Sequence, residues 1–147
     1  MNYLKNHPIN DNWITDRINT DAVKYADDFA KHLSEEQKGK ILPLTTSQLR
    51  KFFGAVKSLE LKIQSNGFEK NDSDFIMLKP KLAYAVGRVR NTNRSISDIR
   101  ISDFEEVLCY TIDVVMNKCP NKESSFKNFI YFFEAIVAYH KCYGKDK

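Results

Sequence analysis

SSFKNFIYFFEAIVAYHK, residues 124–141, decides the fold class. Its apolar residues Phe126, Phe129, Ile130, Phe132, Phe133, Ile136, Val137 and Tyr139 recur at helical steps and cover more than one face. A helix that is apolar on more than one side must be enclosed by others, so this stretch predicts the central helix of a bundle. Ser124 or Ser125 starts it, and Gly144 ends it, leaving residues 145–147 to fray.

Working back from that helix, the pattern repeats. Ser102, Asp103, Phe104 and Glu105 read as a capping box that opens a helix to about Asn117, where Pro120 stops it. Pro80 suits the first turn of a helix from Lys79 or Pro80 to about Arg90, with Leu82, Val86 and Val89 inward. Phe75 to Leu78 can form a short helical turn before it, and Asn91 to Ser95 reads as a polar loop after it. Thr45 with Gln48 is a further capping box, opening a helix to about Ser65 that Asn66-Gly67 closes. Leu49, Phe52, Phe53, Val56, Leu59 and Ile63 form its apolar side.

The first forty residues are less regular. Asp11 to Thr20 is rich in turn-forming residues, and Asp21 is placed to cap a helix to about Leu33. Its stripe is Val23, Ala26, Phe29, Ala30 and Leu33. Trp13 and Ile14 are either a docking point for the leader or part of an ordered cap on the core. The expectation is an all-α fold, a compact bundle of about five helices forming one domain over residues 1–147. Residues 1–40 are its leader, with one helix, and 45–142 its core.

At 147 residues, with 42% hydrophobic side chains, the chain suffices for one packed domain. No apolar run approaches the roughly 20 residues that a membrane span needs. The start of the chain lacks a secretory pattern, which makes the cytoplasm the expected location. Cys109, Cys119 and Cys142 have no metal or redox spacing and read as free thiols, Cys109 as a small buried hydrophobe. His140 and Cys142 are two potential ligands where a structural zinc needs four, so no metal and no cofactor is expected. His7, His32 and His140 are scattered, and no glycine-rich phosphate loop or nucleophile elbow occurs, which argues against an enzyme.

Charge is the stronger signal. Residues 45–100 hold eleven basic and five acidic side chains, while residues 1–44 and 101–147 each hold six and seven. The whole net charge of +4 therefore arises in the middle. Arg50 and Lys57 flank Gly54, and Lys81 and Arg88 flank Ala85, each set at i, i+4 and i+7 on one helical face. Two cations seven residues apart lie about 10 Å apart along the helix and suit phosphates of one nucleic-acid backbone. Gly54 costs up to about 1 kcal/mol in a helix interior, and either a close nucleic-acid backbone or tight helix packing explains it. Tyr84, beside Lys81 and Arg88, either stacks on a base or packs at the edge of the core. A protein-interaction module with a basic face for an acidic partner is the alternative reading of the same charge.

Three blocks carry a resemblance: LTTSQLRKFFGAVK (44–57), LKPKLAYAVGR (78–88) and FFEAIVAYHK (132–141). In this order and spacing they resemble the small helical subunit of type III-A CRISPR effector complexes, the Csm small subunit. The resemblance implies a non-catalytic ribonucleoprotein component of antiviral defence, copies of which stack as a filament beside other Csm-complex subunits. It implies crRNA and target RNA as partners, with nuclease and cyclase activities on other subunits. The RNA-contact candidates it names are Arg50, Lys51, Lys57, Lys79, Lys81 and Arg88, with Arg90 and Arg94 just outside the second block. His140, in the third block, is either an RNA contact or a packed core histidine.

Overall fold

A computed structural model describes residues 3–144. Five helices of fourteen residues or more make the body: α3 (Thr20–Leu33), α4 (Thr46–Asn66), α6 (Leu78–Thr92), α7 (Arg100–Lys118) and α8 (Lys122–Tyr143). Three short ones join them, α1 (Tyr3–Asn6), α2 (Asn12–Thr15) and α5 (Asp72–Ile76). Two residues of β1 (Ile41–Leu42) pair in parallel with two of β2 (Asp98–Ile99), Ile41 opposite Asp98 and Leu42 opposite Ile99. The fold is predominantly α, as the periodicity requires.

Helix α8 is central: α2, α3, α4 and α7 all pack on it. Phe126, Phe129, Ile130, Phe132, Phe133 and Ile136 are buried, each contributing about 1.5–3 kcal/mol of transfer free energy. Val137 and Tyr139 sit at the margin of this core, and His140 takes the inward position. Phe68, Phe75, Phe126, Phe129 and Phe133 form a continuous run of ring contacts, extended to Phe53 and Phe104.

The leader is built into this core. Trp13 and Ile14 of α2 are buried, and the Asn128 side chain on α8 donates to the carbonyls of Ile14 and Asp16. Asp11 accepts hydrogen bonds from Tyr110 and Lys118 of α7. Burial alone would raise the Asp11 carboxyl, but these bonds outweigh it and hold it below its ordinary range.

Several helix starts differ from expectation. Asn19, not Asp21, caps α3, its side chain accepting from the Ala22 amide, and Ala22 replaces Val23 in the buried stripe. Asn19 has the extended backbone a cap requires, which leaves Asp21 in the first turn. Asn121, not Ser124 or Ser125, caps α8 by accepting from the Ser124 amide. The Ser102–Glu105 box is not formed: α7 begins at Arg100, after β2 has drawn Asp98 and Ile99 into a strand. Asp103 is 2% exposed and lies with its Oδ2 2.7 Å from His32 Nε2 of α3. Arg100 joins them, bonded to Glu35 at 2.6 Å and Asp98 at 3.2 Å. His32 Nε2 is also 2.9 Å from Arg100 Nη1, and one ring nitrogen cannot donate and accept at once. Donation to the Asp103 carboxylate is favoured, since Arg100 has Glu35 and Asp98 to receive its hydrogens.

The Thr45–Gln48 box is formed with both of its hydrogen bonds, and Gly67, at φ +91°, ends α4. Helix α6 runs two residues past Arg90, its end held by the Thr92 and Asn93 side chains donating to carbonyls one turn back. Gly144 caps α8, and residues 145–147, expected to fray, lie outside the described residues.

Candidate nucleic-acid interface

Helices α4 and α6 both pack inward, α4 chiefly on α8 and α6 chiefly on α7, so an open antiparallel seam is left between them. One end is a recess of about 290 Å³ lined by Gln48, Lys51 and Phe52 of α4, Ala85, Arg88, Val89 and Thr92 of α6, and Ile101. The other end lies between Ala55, Ser58, Leu59 and Lys62 of α4, Asp74 of α5, and Leu78 and Lys81 of α6. On α4 the residues facing α6 are thus Lys51, Ala55, Ser58 and Lys62, at i, i+4, i+7 and i+11. On α6 they are Lys81, Ala85 and Arg88, the expected face.

The expected α4 face lies elsewhere. Arg50, Gly54 and Lys57 share a side of the helix that borders α8, because Lys57 Nζ sits 2.7 Å from Glu60 and 3.2 Å from Glu134 on α8. Donating hydrogen bonds to these two carboxylates raises the Lys57 pKa. Lys79 is held in the same way by Asp113 of α7 at 2.7 Å, which raises its pKa too. Arg90 donates to the Ile96 carbonyl at 2.8 Å and so pins the turn after α6. Arg94 is exposed on that turn, and Arg50 is exposed on α4.

The eight sequence candidates therefore separate. Lys51 and Arg88 line one end of the seam and Lys81 the other, beside Asp74, and none of the three is in an ion pair among the described residues. Lys57, Lys79 and Arg90 spend their hydrogens on the fold. Arg50 and Arg94 are solvent-facing outside the seam. Lys62 was missed, though it lies eleven residues from Lys51 on the same helical line, and its only ion pair among the described residues is an exposed one with Asp74 at 3.6 Å. The signal was present in the wheel: measured from the core positions Val56 and Ile63, Lys51 and Lys62 fall to one flank and Arg50 and Lys57 to the other.

Nothing within 4 Å would obstruct a Cβ on Gly54, so packing inside the chain does not require glycine there. His140 is fully buried, its Nε2 2.8 Å from the Leu44 carbonyl, which makes it a packed core histidine. Cys109 is half-buried, and burial pushes its thiol up to about 11. All three cysteines are free. Among the described residues, no three His, Cys, Asp or Glu side chains are grouped to hold a metal, and no helix is long and apolar enough to cross a membrane.

A family model described as Csm2 Type III-A matches residues 17–146. The CRISPR system Cms protein Csm2 of Streptococcus thermophilus is 30% identical over 112 residues, which are 76% of this chain and 82% of that protein. No solved structure matches the chain. The match runs through all five long helices and takes in both walls of the basic seam: the chain belongs to the Csm2 family of type III-A CRISPR systems.

Proposed function

We propose that this protein is the non-catalytic small subunit of a type III-A effector ribonucleoprotein in the cytoplasm. In this reading it binds crRNA and target RNA through backbone phosphates, assembles with other Csm-complex subunits and stacks with copies of itself. The observation that carries the RNA reading is the placement of Lys51, Lys81 and Arg88, from two helices, along one seam with none of them in an ion pair among the described residues. Each of the three spends solvated charge that a phosphate can take up, and releases counterions from the RNA in doing so. Lys62 continues the track along the seam, while Arg50 and Arg94 outside it and the paired Lys57 and Lys79 contribute long-range field more than contact.

Phosphate contacts position an RNA without reading its sequence. Affinity should therefore rise with oligomer length and fall steeply with salt, with a log–log slope of about −2 for three contacts on a single strand. The test is fluorescence anisotropy of the full chain against a length series of single-stranded RNA at low salt, beside the Lys81→Glu/Arg88→Glu double variant. The double variant should bind at least tenfold more weakly with unchanged helical circular dichroism. Equal affinity of the two proteins would overturn the phosphate assignment.

A further inference from the structure

Tyr84 is 70% exposed, more than any other tyrosine among the described residues. It contributes little to the core, and its hydroxyl has no hydrogen-bond partner among the described residues. A tyrosine there is also a weaker helix former than alanine, so neither stability nor propensity accounts for it. Its surroundings suggest what does. Lys81 and Arg88 lie three residues before and four after it, on neighbouring positions of one helical surface. The Arg88 guanidinium sits over the ring at 6.0 Å from its centroid, which steadies one face and leaves the other to solvent.

We infer that Tyr84 is a stacking platform for an unpaired nucleobase of the RNA whose phosphates Lys81 and Arg88 hold, an inference that rests on the RNA reading above. A cation on each side fixes the backbone of one nucleotide, and the free ring face between them meets its base. Every base has a π-face, so the contact is indifferent to sequence and adds to the phosphate contacts without altering their number. It does discriminate between strands: a base already paired and stacked in a duplex cannot lie on the ring. The platform therefore favours unpaired RNA, which phosphate contacts alone do not.

The test uses the full chain with a labelled single-stranded RNA and an oligomer of equal length whose central nucleotides are abasic. Tyr84→Ala should weaken binding to the intact strand at least fivefold, and Tyr84→Phe should restore it. Tyr84→Leu, which keeps apolar bulk without a flat ring, should stay weak. On the abasic strand all four proteins should bind alike, and the salt slope should be the same for each. Wild-type affinity of Tyr84→Ala for the intact strand would overturn the platform and leave the ring to a protein contact. A deficit of equal size on the abasic strand would overturn it too, since the ring would then act only by orienting Arg88. Lys81→Glu/Arg88→Glu separates the two readings: unchanged affinity there refutes phosphate contact, whereas a loss there beside a normal Tyr84→Ala refutes stacking alone.

Discussion

Lys57 and Lys81 are the same residue type on similarly patterned helices, yet they stand in different electrostatic positions. Lys57 faces Glu134, 77 positions away in the chain, and Lys79 faces Asp113, 34 away. Charge was legible in the sequence and its neutralisation only in part: Glu60 lies one turn from Lys57 on α4, whereas Glu134 and Asp113 arrive through the packing of α8 and α7. Both pairs are substantially exposed, so each is worth at most about 1 kcal/mol to stability. The consequence lies in binding. Lys57→Ala and Lys79→Ala should each leave RNA affinity within about twofold of wild type, while Lys81→Ala should lower the salt slope by about one, as measured by anisotropy titrations at several salt concentrations. Asp103 is the opposite case, a carboxylate buried against His32 and Arg100. Asp103→Ala removes the acceptor of the His32 ring and one of three carboxylates beside Arg100, and should cost about 1–3 kcal/mol in urea unfolding. Gly54→Ala should instead raise stability by up to about 1 kcal/mol, since a Cβ there meets nothing. A matching loss of affinity in assembled complexes would locate the close approach that the glycine permits.

At the scale of elements, what the sequence revealed depended on how local the cause was. The Thr45–Gln48 box forms because both partners are one turn apart and nothing distant competes for them. Ser102 and Glu105 carry the same local pattern, but the β1–β2 pair moves the start of α7 back to Arg100 and His32 draws Asp103 inward. The two sites should accordingly differ in thermal unfolding. Thr45→Ala should cost about 1 kcal/mol, whereas Ser102→Ala should fall within about 0.5 kcal/mol of wild type. The same contrast explains the seam. Periodicity found both basic helices and oriented α6 correctly, because the core-facing Leu82 fixes its wheel. It picked out the flank of α4 that borders α8 rather than the one that faces α6, since either side of the apolar stripe offers two cations and only the placement of α6 and α8 distinguishes them.

At the scale of the whole molecule, the central helix and the all-α class were written in residues 124–141, whereas the integration of the leader was not. Ile14 and Asp11 are held by Asn128, Tyr110 and Lys118, each about a hundred positions away, and no short pattern encodes such contacts. His140 is a closure of the same kind, joining the end of α8 to the Leu44 carbonyl ahead of α4 across 96 positions. Burial lowers its pKa from the ordinary 6.5, and the hydrogen bond to Leu44 only partly opposes this. The unfolded chain therefore binds a proton at His140 more readily than the folded one. Stability contributed by neutral His140 is fully present above about pH 6.5 and declines as pH falls below it, because protonation then favours the unfolded state. Urea midpoints should drop between pH 7 and 5.5. His140→Gln has no such group to titrate and keeps a donor for the Leu44 carbonyl, so its midpoint should change less over the same interval, whatever its absolute stability. An equal fall in both proteins would show that His140 carries none of the pH dependence and that its buried site accommodates the charged ring.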